Sequence, residues 1–71
     1  MNKMIMAKRL TDARGDRSRE TVASEVKISV SALAMYETGQ RVPRDEIKVA
    51  LAEYYGLSIE FLFFASQVHS P

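Results

Sequence analysis

Apolar side chains recur along the chain at intervals of three and four, the spacing that gathers them on one face of an α-helix. The alternation of a strand is nowhere sustained. Met6, Leu10 and Ala13 set such a face in a first segment over about 2–13. Val22, Ala23 and Val26 do so over 19–26, and Leu33 and Tyr36 over 30–38. Ile47, Leu51 and Tyr55, with Ala52 beside them, line a fourth segment over 45–55, and a fifth, apolar and short, begins after Ser58 and covers 59 to about 65.

The breaks between segments carry turn chemistry. Arg14-Gly15-Asp16-Arg17-Ser18 is a polar turn with glycine inside it, and Gly39-Gln40-Arg41-Val42-Pro43 is a longer one. Ser18 and Ser29 stand where a side-chain oxygen can accept from the orphan amides of a first helical turn. Glu20, Asp45, Glu46 and Glu60 fall near the positive ends of their helices. Gly39 and Gly56 suit the left-handed residue that ends a helix. The pattern predicts an all-α domain of five short helices around one small core over residues 1–65, with residues 66–71 as a frayed tail.

The second and third segments are the informative pair. Only Lys27, Ile28 and Ser29 separate them, a connection too short for an antiparallel hairpin, so the two helices must cross sharply. Ala23 is small where the helices pass closely, Ile28 plugs the core from the turn, and Leu33 anchors the third helix inside. Ser29, Val30, Ser31, Ala34 and Met35 are then left facing outward. In a helix-turn-helix, the outward N-terminal half of the second helix enters the major groove of DNA.

The stretch Ser18-Arg19-Glu20-Thr21-Val22-Ala23, then Ile28-Ser29-Val30-Ser31-Ala32-Leu33, then Tyr36-Glu37-Thr38-Gly39-Gln40-Arg41-Val42-Pro43, resembles the Cro/CI-type (Xre-like) helix-turn-helix family. The likeness continues through Ala52, Tyr55-Gly56-Leu57-Ser58 and Leu62, and covers roughly residues 6–64. The resemblance implies a lambda-repressor-like domain that binds double-stranded DNA, usually as a homodimer on a pseudo-palindromic operator. It also implies that Glu37 braces the helix pair through an arginine of the first helix, for which Arg14 is the candidate. The chain departs from the family at Lys27, usually glycine, and at Arg19, usually glutamine. Val30, Ala34 and Met35 are apolar where polar side chains are usual.

The expected DNA-binding residues are Arg19, Ser29, Val30, Ser31, Ala34, Met35, Arg41 and Arg44. Arginines at the start of the second helix and in the loop after the third suit phosphate. Ser31 suits a base or a phosphate, and apolar side chains in the major groove suit thymine methyls. In the fifth segment, Phe61, Phe63 and Phe64 crowd around Leu62. A helix turns about 100° per residue, so the four cannot all face one core. Phe61, Phe63 and Phe64 are therefore the expected contacts of a two-fold dimer, with Phe63 or Phe64 at its centre.

Charge and composition sharpen this reading at a few points. The formal net charge is only +1. Residues 1–27, however, hold seven Lys or Arg against four Asp or Glu, a balance of +3, and residues 28–71 hold three against five, a balance of −2. The uneven distribution lets one face meet phosphate. With 71 residues there is room for one domain. Cysteine is absent, so neither a disulfide nor a thiolate metal site is available. His69 has no partner ligand, and the three glycines are too scattered to cradle a phosphate. Asp45 and Glu46 diverge on a helix and cannot share a substrate. Neither a catalytic residue, a metal, a cofactor nor a small-molecule substrate is expected. No apolar run nears the roughly 18 residues of a membrane span, and the start does not read as a signal peptide, so the expected compartment is the cytoplasm. The function expected is sequence-specific transcriptional regulation, with repression by steric block. The rival is a protein-interaction module, an antitoxin or anti-repressor, which the apolar outer residues and low net charge favour.

Overall fold

Asn2 starts the first helix from outside it: its Oδ1 accepts from the amides of Met4 at 2.9 Å and Ile5 at 3.2 Å. The chain is described here by a computed structural model covering residues 2–64; the expected tail of residues 66–71, with His69, lies outside the described residues. Helix α1 spans Lys3–Arg14, α2 Arg19–Val26, α3 Val30–Glu37 and α4 Asp45–Tyr55, and α5, a single wide π-type turn, spans Glu60–Phe64. Among the described residues there is no strand, and no helix is long and apolar enough to cross a membrane. Among the described residues the fold is all-α, with the five helices that the pattern predicts.

The helix ends form where the side chains can satisfy them. Ser18 Oγ accepts from the Thr21 amide, Ser29 Oγ from Ala32 and Ser58 Oγ from Phe61, each within 3.0 Å. Gly39 and Gly56 both take the left-handed conformation. After α3 the amide of Gln40 reaches back to the Met35 carbonyl at 2.9 Å, closing the helix end in a Schellman turn. Gly39 also lies against α1: a Cβ there would stand 3.2 Å from Met4 Sδ and 3.4 Å from the Lys3 carbonyl oxygen. The backbone angle and this close approach both favour glycine there.

The core is built from Met6 and Leu10 of α1, Val22 and Ala23 of α2, Leu33 and Tyr36 of α3, Leu51 and Ala52 of α4, and Leu62 and Phe63 of α5. Helix α3 packs between α1 and α2, with α4 against α2 and α5 against α1. Ile28 packs onto this core from the turn, as expected, and Val26, Ile47 and Tyr55 pack around it half-buried. In α1 the inward face is shifted from the expected one: Ala7 is buried and Ala13 only half-buried.

In α5 the expectation needs a correction. Phe63, expected at a dimer contact, is 2 % exposed and belongs to the core of the single chain. The physical reason is that adjacent residues of one helix can share its inward face, as Val22 with Ala23 and Leu51 with Ala52 do. Leu62 and Phe63 therefore both face inward, while Phe61 and Phe64 stay 44 % and 37 % exposed.

Candidate nucleic-acid interface

The α2–α3 pair is locked by one carboxylate. Glu37, the last residue of α3, is the one buried charged side chain among the described residues. Its Oε2 accepts from Arg14 Nε at 2.8 Å and its Oε1 from Arg19 Nε at 2.9 Å. Arg14 also donates from Nη1 to the Arg17 carbonyl at 2.7 Å, so it ties the α1–α2 turn to the end of α3. The hydrogen bond to Glu37 holds the Arg14 guanidinium above its usual pKa. The pairing of Glu37 with Arg14 matches the sequence expectation. The pairing with Arg19 lies outside that expectation, which places Arg19 outward as a DNA contact.

Between α2 and α3 the chain turns through Lys27, whose φ of 68° and ψ of 45° are left-handed. It is the sole non-glycine residue with positive φ among the described residues. The conformation lets the Ile28 amide reach the Ala23 carbonyl at 2.9 Å, ending α2 and turning Ile28 inward within three residues.

The outer face of α3 is exposed at its start and closes toward its end. Ser29, Val30 and Ser31 are exposed, Val30 by 40 %, whereas Ala34 and Met35 are half-buried. The expected reading face is thus narrower than the sequence suggests, and concentrated in the first turn. Thr38 Oγ1 donates to the Ala34 carbonyl at 2.9 Å, and Gln40 Nε2 donates to Thr38 Oγ1 at 3.1 Å, so the far end of α3 is occupied by its own hydrogen bonds.

Arg41 and Arg44 are both exposed in the segment between α3 and α4. Arg41 meets no carboxylate among the described residues, and Arg44 approaches Glu46 only at 4.0 Å, with both side chains largely in solvent. An open groove beside the start of α3 is lined by Lys27, Ser29, Tyr36, Arg41, Val42 and Arg44, among others. The structure therefore brings Ser29, Arg41 and Arg44 to one groove. Val30 and Ser31, on the first turn of α3, and Arg19, at the start of α2, do not line it. Lys27 joins this set although sequence reasoning did not select it; the available signal was a cation in a turn where glycine is usual. No group of His, Cys, Asp or Glu among the described residues is arranged to hold a metal ion.

Residues 5–62 match the helix-turn-helix family, in its Cro/C1-type, Xre-like form. No curated protein and no solved structure matches the chain.

Proposed function

Because the chain belongs to the Cro/C1-type (Xre-like) helix-turn-helix family, a family of DNA-binding regulators, we propose that it is a sequence-specific transcriptional repressor acting in the cytoplasm. In this reading α3 enters the major groove of each half of a pseudo-palindromic operator, and two copies bind together. The observation that carries it is the first turn of α3. Ser29, Val30 and Ser31 are exposed there, while Leu33, Tyr36 and Glu37 three to six residues on are buried and hold the helix in place.

The roles follow from residue chemistry. Arg19, Arg41 and Arg44 contact phosphates and set the register of the protein on the duplex. Ser31 bonds a base edge, and Val30 meets a thymine methyl, with Ala34 and Met35 contributing at its margin. One such reader discriminates weakly, so two half-sites about one helical turn apart are needed to compete with nonspecific DNA. Phe61 and Phe64 are the surfaces offered to a second copy. Repression is steric, an occupied operator excluding polymerase.

A second reading, that the same face binds a partner protein, draws on the exposure of Val30 and the net charge of +1. Selection of bound duplexes from a random pool with the purified protein separates the two. The DNA reading expects a recurring two-fold motif, bound with an affinity that falls steeply with salt. A pool that stays random after selection contradicts it.

A further inference from the structure

We propose that Lys27 is a DNA-backbone contact, completing with Arg41 and Arg44 a groove that seats one phosphate against the first turn of α3. The inference rests on the DNA-binding reading and adds to it a residue and a site.

The groove has cations on its walls and an apolar floor. Lys27, Arg41 and Arg44 line it together with Ser29 and Tyr36, and no carboxylate lines it. Of the chain's other cations, all but the exposed Lys3 have a partner of their own. Lys8, Arg14, Arg19 and Lys48 each meet an Asp or Glu within 4.0 Å. Arg9 and Arg17 lie over the rings of Phe61 and of Tyr54 and Tyr55. Lys27 and Arg41 have neither kind of partner among the described residues, and Arg44 has only its loose 4.0 Å approach to Glu46. Lys27, Arg41 and Arg44 set three like charges along one groove, a field that attracts an anion.

Ser29 ties the groove to α3. It is at once the cap of α3 and part of the groove wall. Ser29 is followed directly in the chain by the exposed Val30 and Ser31, so a phosphate held at this wall lies at the N-terminal end of the helix proposed to enter the major groove. The backbone of Lys27 points the same way. A lysine held at φ 68° is strained in a turn where glycine would not be. Its charge supplies what glycine lacks, and strain retained at a ligand clamp is a recurrent feature of binding sites.

The test is the salt dependence of binding to a short random-sequence duplex, measured for the wild type, Lys27→Gly and Lys27→Arg. Phosphate contacts are independent of sequence, so no operator is required. Lys27→Gly, which removes the charge and relieves the backbone, is expected to bind more weakly at low salt and to lower the slope of log affinity against log salt by about 1. Between 50 and 200 mM salt it then loses roughly threefold less affinity than the wild type does. Lys27→Arg is expected to keep the wild-type slope. Wild-type binding with a slope that Lys27→Gly leaves unchanged overturns this assignment alone. Absence of wild-type binding at low salt overturns the DNA reading and this assignment with it.

Discussion

Arg19, the first residue of α2, donates its Nε–H across 2.9 Å to Oε1 of Glu37, the last residue of α3. The bond ties the start of one helix of the pair to the end of the other and fixes where the remaining guanidinium nitrogens of Arg19 lie. With Arg14 on the second oxygen, the buried carboxylate has a cationic donor on each side.

Glu37→Gln keeps the shape of this bracket and removes its charge. Hydrogen bonds to a charged group contribute about 1.5–3 kcal/mol each, and the amide can replace only one of the two acceptors. The variant is expected to lose about 2 kcal/mol in urea denaturation, a large share of the stability of so small a domain. A loss below about 0.5 kcal/mol, the range of ordinary surface substitutions, would mean that packing alone holds the pair.

Tyr55 offers a test by pH. Its hydroxyl is buried and finds no hydrogen-bond partner among the described residues. Burial pushes the phenol up to about 12, and the Glu37 carboxylate acts in the same direction. The folded state therefore binds the proton more tightly than the unfolded chain, whose tyrosine titrates near 10. The fold's stability is unaffected by this group below about pH 10 and falls as pH rises toward 12, by an amount on the order of 2 kcal/mol. Tyr55→Phe is expected to match or exceed the wild type at neutral pH, since it removes an unsatisfied polar atom, and to show a shallower alkaline loss. Equal alkaline slopes for the two proteins would show that Tyr55 does not carry the effect.

Lys27→Gly is expected to stabilise the fold or leave it unchanged. A left-handed conformation costs an ordinary residue roughly 1 kcal/mol or more, and glycine gives part of this back through its freedom in the unfolded chain. Thermal unfolding decides it, and a loss of more than about 1 kcal/mol would contradict the strain at φ 68°.

The fifth helix separates assembly from folding. Phe63→Ala, in the core, is expected to cost about 3–5 kcal/mol. Phe61→Glu and Phe64→Glu, on the surface, are expected to leave the monomer folded and to shift sedimentation from dimer to monomer. Neighbouring cations already meet both rings: Arg9 lies 4.3 Å from the Phe61 ring centre and Lys48 4.9 Å from that of Phe64. A glutamate at either position keeps a local partner for its charge. Sedimentation of both variants as dimers would place the interface elsewhere.

What was legible in the sequence was local. Ser18 and Ser29 announce helix starts and Gly39 and Gly56 announce ends, because each acts within a few residues of itself. The three-residue connection through Ile28 likewise implies that α2 and α3 cross. Relations between distant residues were harder. The Arg14–Glu37 pair came from family likeness, and the Arg19–Glu37 bond came from neither periodicity nor likeness, since whether an arginine points in or out depends on a carboxylate 18 positions away. The facing of Phe63 failed for another reason: with four apolar residues in a row, the sequence does not say which adjacent pair turns inward, and packing selects Leu62 and Phe63. At the candidate interface, the exposure of Val30 and Ser31 was anticipated from helix phase, whereas the partial burial of Ala34 and Met35 follows from the packing around α3.

The central claim is that the first turn of α3 touches DNA, and Val30→Asp tests it most directly. Val30 is exposed and opens the helix, where an acidic residue favours the positive end of the helix dipole, so the substitution spares the fold. The measurement is the affinity of wild type and variant for the duplex recovered by selection, alongside their melting temperatures. The expected result is a variant that melts at or above the wild type and no longer binds that duplex, because its carboxylate meets the phosphates and base edges of the groove. A variant that melts normally and binds as tightly as the wild type would contradict the account.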